Sequence, residues 1–291
     1  MKVIQFTVPV ANEGSVVIQE DILPYFYNYL HRHQEAQITL VLKGEGTLVI
    51  GNYTQAFKAG EVYMIGPNQP HMFKGDPKYF ENLQEKNIHA IHIFFDIKFF
   101  EKHLSFPELE TVKKFVTNLP GSLQLPEGHP VANDLIVQIS RLTGLDRLIR
   151  FFNLLQYFSS AVVNWKGLST GFTQQYYTES EGIRMNDIFQ YTIENFSEQI
   201  SLVKIASIAH MTSHSFCKYF KKHTRKTYLS FLNEIRINEA CKELLHGDSK
   251  SISEIAYATG FNSAITFNRV FKKVIGMSPS EYIRACKFKA S

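Results

Sequence analysis

The sequence predicts an α+β, multidomain chain: a small N-terminal β-barrel with helices after it, then an all-α C-terminal region with two helix-turn-helix motifs. Three observations lead there. Positions 1–95 hold short runs of β-branched and aromatic residues punctuated by glycine. A helical period of apolar residues replaces them beyond that point. Within the last hundred or so residues, one pattern occurs twice. At 291 residues the chain is also long for one domain.

The elements follow in order. Ile38–Leu42, Thr47–Ile50 and Ile88–Phe95 read as strands, with Gly44, Gly46, Gly51, Gly60, Gly66 and Pro67 marking the turns. A helix is expected over Pro107–Leu119, where Leu109, Val112, Phe115 and Val116 share a face. Val131–Leu142 and Leu145–Trp165 follow, broken at Gly144. Leu145, Leu148, Ile149, Phe152, Leu155 and Phe158 form an apolar stripe on the second of these. Residues 166–182 are polar and carry Gly167, Gly171 and Gly182, which reads as a linker. The expected domains are therefore 1–165 and 183–291, joined by 166–182.

The repeat lies in the second domain. Ser201-Leu-Val-Lys-Ile-Ala-Ser-Ile-Ala-His-Met-Thr precedes Phe216, Phe220 and Lys221-Lys222. Ser251-Ile-Ser-Glu-Ile-Ala-Tyr-Ala-Thr-Gly-Phe-Asn precedes Phe267, Phe271 and Lys272-Lys273. Each Ser can cap a short helix whose Ile-Ala pair (Ile205/Ala206, Ile255/Ala256) packs inward. The small Ala lets a second helix cross closely after a break at His210 or Gly260. Phe at i and i+4 then anchors that second helix and leaves its other face polar. The two motifs span 201–223 and 251–274. A plain helical bundle with a solvated basic face would not need two copies that each end in Phe-Lys-Lys.

Charge agrees with this division. From Glu181 onward there are 16 Lys and Arg against 10 Asp and Glu, whereas residues 1–180 hold 15 against 17. Basicity confined to one end suits a polyanion such as double-stranded DNA. No apolar run approaches the ~20 residues of a membrane helix, and the first ten residues lack a signal-peptide pattern. Cys217, Cys241 and Cys286 form neither a pair pattern nor a zinc spacing, as expected of a cytoplasmic protein.

The C-terminal residues resemble a known family. Ile255-Ala256, Gly260-Phe261, Phe267, Arg269, Phe271-Lys272-Lys273, Gly276-Met277-Ser278-Pro279, Tyr282 and Arg284 match the signature of AraC/XylS transcription regulators. Arg236 and Ala240-Cys-Lys-Glu-Leu-Leu245 fit the connecting helix of that family, expected over Tyr228–Leu245. The departure is Arg225, where the first copy usually carries Gly. The resemblance implies a sequence-specific DNA-binding regulator, a homodimer formed through the 145–165 helix, and RNA polymerase as a candidate partner. Matched residue by residue, the base-facing positions are Ser213, His214, Cys217 and Lys218 in the first motif. In the second they are Ala264, Ile265, Asn268 and Arg269. Arg269 suits a bidentate contact to guanine and Asn268 one to adenine. Lys221, Lys222, Lys272 and Lys273 close the second helices and suit phosphates, as do the helix-initiating Thr227 and Ser278.

The N-terminal half carries His31-Arg-His33-Gln-Glu-Ala-Gln37, then Lys43-Gly-Glu-Gly46, Gly60-Glu-Val-Tyr-Met-Ile-Gly-Pro67 and Pro70-His71. This order resembles the cupin barrel, a sensor domain common in AraC-type regulators. His31 and His33, as i and i+2 of one strand face, and the remote His71 match three of the four ligands of metal-binding cupins. Gln37, a poorer ligand, holds the Glu position. A bound metal or other cofactor is therefore not expected. The reading is that His31, His33, Gln37 and His71 bind a small polar effector, with a carbohydrate as the candidate the family favours. Tyr25, Tyr27, Tyr63, His92 and Phe94 are candidate walls. The competing readings are a metal-dependent cupin dioxygenase or isomerase with a DNA-binding tail, and an architectural DNA protein without a ligand. No catalytic residue is expected, since Cys217 has no catalytic partner near it in sequence.

Overall fold

The computed structural model describes residues 7, 10, 14–51, 53–76, 79, 85–103, 105–119, 121–168, 178–245 and 250–290, with backbone alone at 245 and 286–290. Contacts divide the chain into two compact units, Met1–Tyr53 with Phe57–Ile183, and Thr54–Ala56 with Arg184–Ser291. The strand containing Thr54–Ala56 is nonetheless hydrogen-bonded into a sheet of the first unit.

That unit contains two antiparallel sheets. The larger runs β1 (Val16–Leu23), β7 (Ile88–Phe95), β2 (Ala36–Lys43), β5 (Val62–Ile65), β8 (Leu123–Gln124) and β9 (Lys166–Gly167). The smaller runs β4 (Tyr53–Phe57), β3 (Gly46–Ile50) and β6 (His71–Gly75). Alternation along the strands makes two cores. Ile38, Leu40, Val62, Met64, Ile91, Ile93 and Phe95 face the helices. Val41, Tyr63, Ile65, Ile88 and Ala90 face inward onto Leu48, Ile50, Phe57 and Phe73. A sheet covered on both faces needs near-continuous apolar strands, which is how β2 reads. Inside, Phe26, Phe57 and Phe73 meet at 5.3–5.4 Å between ring centres. They plug part of the barrel with apolar rings.

The covering helices are α1 (Ile97–His103), α2 (Glu110–Thr117), α3 (Pro130–Arg141) and α4 (Gly144–Ser160), with a 3-10 turn at Pro107–Leu109 before α2. The expected 145–165 helix thus stops at Ser160. Trp165 folds back to put its ring 5.0 Å from Phe158 and 5.8 Å from Phe115. The α4 stripe divides: Phe151, Leu154, Leu155 and Phe158 are buried, while Leu145 and Ile149 are 69% and 50% exposed. The segment expected as a linker begins as β9 and ends inside helix α5 (Glu179–Glu194); its middle, 169–177, lies outside the described residues.

The second unit continues with α6 (Leu202–Ile208), α7 (Ser213–Thr224), α8 (Tyr228–Leu245), α9 (Ile252–Ala258), α10 (Ala264–Ile275) and α11 (Pro279–Ala290). The repeat is structural down to single bonds. Met211 N–H donates to Ala206 O at 2.9 Å, and Phe261 N–H to Ala256 O at 3.0 Å. Ser201 accepts from Lys204 N–H, and Ser251 from Glu254 N–H within a full capping box. Ile205, Ala206, Phe216 and Phe220 are buried in one copy; Ile255, Ala256, Phe267 and Phe271 in the other. Connecting helix α8 has 18 residues, about 27 Å at about 1.5 Å per residue. Its first half packs Tyr228 and Phe231 on Phe216 and Phe220. Its second half packs Ile237, Ala240, Cys241 and Leu244 on Ile255 and Phe267.

Candidate functional site

The histidines of the barrel come together. His31 does not lie within a strand, as the i, i+2 expectation required; it precedes β2 and forms an isolated bridge with His71, exchanging backbone bonds of 3.0 and 2.8 Å. His33 likewise lies outside a strand. The bridge brings the His31 and His71 rings within 4.4 Å, and His33 lies 5.0 Å from His71. One ligand atom from each ring falls within 4.8 Å of the others. Each ring is held the same way: Nδ1 bonds a backbone carbonyl, of Tyr29, Glu35 and Gln69 respectively, at 2.8–2.9 Å. Nδ1 is thereby committed, which leaves Nε2 as the atom His31 and His71 offer, while the Nε2 of His33 already lies 2.8 Å from the Gln37 side-chain oxygen. The Nε2 of His71 is buried and has no hydrogen-bond partner.

Burial keeps the cluster neutral. It pushes the His31 pKa down to about 4. Burial also lowers His33, and burial together with its histidine neighbours holds His71 well below the usual imidazole range. Gln37 belongs to the cluster but is engaged: its amide lies 2.8 Å from His33 Nε2 and donates to Thr39 Oγ1 at 2.7 Å and His92 Nδ1 at 2.9 Å. Beyond His92 stands Asp21, at 3.4 Å. Sequence reasoning missed Thr39 and Asp21; their inward alternation in β2 and β1 was the available signal. Of the expected walls, Phe94 edges against His33 at 5.1 Å and Tyr27 against His31 at 5.1 Å. Tyr63 must be reassigned: it is fully buried in the apolar plug, with its hydroxyl on Glu61 at 2.5 Å. Tyr25 is 36% exposed.

Three neutral imidazoles with fixed Nδ1–H groups are also what a divalent transition metal takes. His31 and His71 would hold such an ion through Nε2, and His33 would join them only by giving up its 2.8 Å bond to the Gln37 side chain. Gln37 does not complete the set, because its amide is already shared among three neighbours.

In the second unit, the anchors bury one face and leave the other to solvent. His214, Cys217 and Lys218 on α7, and Ile265, Asn268 and Arg269 on α10, are exposed; Ser213 and Ala264 are half-buried at the helix starts. Ile265 is 83% exposed. Lys221, Lys222, Lys272 and Lys273 are exposed in the last turns. Thr227 is exposed and accepts from Ser230 N–H at 3.2 Å. Ser278 is a poor phosphate site: its amide and hydroxyl both donate to the Glu281 carboxylate at 2.7 Å, which repels a second anion.

Comparison with known proteins agrees with this division. A helix-turn-helix domain model matches residues 205–285 and a cupin domain model residues 23–78. The two domains are those of an AraC-type transcription regulator. The regulator is similar to the uncharacterized HTH-type transcriptional regulator YdeC of Bacillus subtilis, 24% identical over 88% of this chain and 86% of that one. It is 23% identical to the raffinose operon transcriptional regulatory protein RafR of Pediococcus pentosaceus, over 91% and 90% of the two chains. Among solved structures, ToxT of Vibrio cholerae aligns over 92% of this chain and 97% of its own, with 16% identity and a TM-score of 0.35. The regulator's activity is thus sequence-specific binding of double-stranded DNA in the control of transcription. No helix among its described residues is long and apolar enough to cross a membrane.

Proposed function

We propose that the regulator answers to a small, polar, neutral effector held by His31, His33, Gln37 and His71, and that a carbohydrate is the class that fits best. The convergence of the three rings carries this reading. A buried polar atom without a partner, such as His71 Nε2, costs about 1–3 kcal/mol. A ligand hydroxyl that donates to it recovers that cost. Neutral His31 and His71, whose Nδ1–H groups are committed, present acceptors at Nε2, so hydroxyl donors suit the site better than a carboxylate. Phe94 and Tyr27 supply aromatic surface beside them. The likeness to a raffinose operon regulator points the same way. On this reading domain 1–165 senses, domain 183–291 binds DNA in the cytoplasm, and the exposed faces of α7 and α10 supply the base contacts without any catalytic step. RNA polymerase is the further partner. The exposed Leu145 and Ile149 on α4 form the contact of a homodimer.

The convergence of the same three rings favours one other reading, a bound divalent metal serving a cupin enzyme activity. A thermal-shift series on the full chain separates the two, using a panel of mono- and oligosaccharides, raffinose included, beside elemental analysis of the purified protein. At least one sugar raises the melting temperature of wild type. His31→Ala with His71→Ala abolishes that shift and leaves unliganded DNA binding intact. Equal shifts in the double variant move the effector site elsewhere. A stoichiometric metal lost in the double variant favours the second reading.

A further inference from the structure

The two helix-turn-helix units are joined by more than α8. Arg236 sits where α8 passes from one unit to the other, and it is only 6% exposed. Its guanidinium donates from Nε to Phe196 O at 2.8 Å and from a terminal nitrogen to Glu198 O at 2.7 Å. Both acceptors lie in the loop that leads into the first unit. The same guanidinium stands 5.7 Å over the ring of Phe261, in the turn of the second unit. From the same loop, Gln199 donates to Gly260 O at 3.2 Å and to Asn262 Oδ1 at 2.8 Å.

The repeat provides its own control. His210 and Gly260 occupy equivalent turn positions, and both are left-handed, with φ of 54° and 87°. The first turn accepts a histidine there. In the second, a Cβ on Gly260 would fall 2.6 Å from Phe196 O, 2.8 Å from Ser197 O and 2.9 Å from Arg236 Nε. Backbone conformation alone therefore does not demand the glycine. The close approach of the other unit's loop does.

We propose that Gln199, Arg236 and Gly260 form a clamp that locks the two units in one register and so sets the spacing between the two DNA segments the chain reads. Each unit packs on its own half of α8, so without further ties only the straightness of that helix sets one unit against the other. The clamp ties loop, connecting helix and second turn at one point, and its three residues are positioning residues that need not touch DNA. This rests on both recognition helices reading DNA, as proposed above.

The test uses the full chain and a duplex selected by wild type from a random pool, with footprinting to locate the contacted segments. One base pair is then inserted between them. Wild type loses about tenfold or more in affinity, the scale of one misplaced base-pair contact. In Gln199→Ala, in Arg236→Lys, which keeps the charge but loses the planar fork, and in Gly260→Ala, the loss shrinks to about threefold or less. His210→Ala keeps the wild-type ratio. Gln199 is exposed, so its variant folds even if the buried substitutions do not. Parallel weakening of both duplexes at an unchanged ratio overturns the proposal, as does a wild-type ratio near one. A footprint with a single contacted segment overturns the two-helix reading itself, and the clamp's role with it.

Discussion

Arg225 closes α7 at φ 59°, in the left-handed region where Gly276 closes α10 at φ 88°. The repeat predicts that conformation, and an L-residue there carries about 1–2 kcal/mol of strain. Arg225→Gly removes the strain and adds about 0.4–1 kcal/mol of unfolded-chain freedom. The net is a stabilisation on the order of 1 kcal/mol at most. A rise in the urea midpoint of the C-terminal transition checks it; a fall shows that Arg225 makes a favourable contact that outweighs its backbone. Residue by residue, the exposed face of α7 and of α10 was legible in the sequence because Phe at i and i+4 fixes which face is buried. Ser278 was not: whether a capping hydroxyl is free depends on Glu281, three residues on.

Among elements, the strands that frame the histidine cluster were legible and the cluster's construction was not. Alternation in β2 and β7 identifies the inward face, yet His31 and His33 come together with His71 through a bridge outside the strands. Such long-range backbone pairing leaves no periodic trace. The segment 169–177, expected as linker, lies outside the described residues. The cluster has a consequence for stability. Burial lowers the pKa of His31, His33 and His71, with Glu35, His92, Asp21 and Tyr27 as the charged and titratable neighbours. Above about pH 6.5 these rings are neutral in folded and unfolded chains alike, and stability is flat. Below it the unfolded chain takes up protons that the fold refuses, so stability falls toward pH 4. Each shifted ring contributes up to about 1.4 kcal/mol per pH unit. Urea unfolding of the N-terminal transition between about pH 7 and 5, above the carboxylate range, should show this slope, and His71→Asn should reduce it. A midpoint independent of pH there would mean the rings are charged in the fold.

For the whole molecule, the sequence predicts two domains and the structure divides at Ile183/Arg184. The two faces of helix α4 differ: Leu154 and Phe158 are buried while Leu145 and Ile149 stay exposed. Two large apolar side chains one turn apart at a surface suit an isologous contact. Leu145→Asp with Ile149→Asp is expected to convert a dimer to a monomer in sedimentation, with unchanged melting of the N-terminal unit. A wild-type monomer at micromolar concentration would remove that role.

The central claim is that α10 reads bases while the lysines at its end hold the backbone. Binding of wild type, Arg269→Ala and Lys272→Ala to the selected duplex and to random duplex, over a range of salt, tests it most directly. Phe267 and Phe271 fix one face of α10, so Arg269 points away from it, and Lys272 lies beyond the last anchor. Arg269→Ala should cost about 1–3 kcal/mol on the selected duplex and little on random DNA. Lys272→Ala should weaken both alike and flatten the salt slope by about one unit. Equal losses on both duplexes for Arg269→Ala would contradict the account, because Arg269 would then be one more phosphate contact and α10 would not read sequence through it.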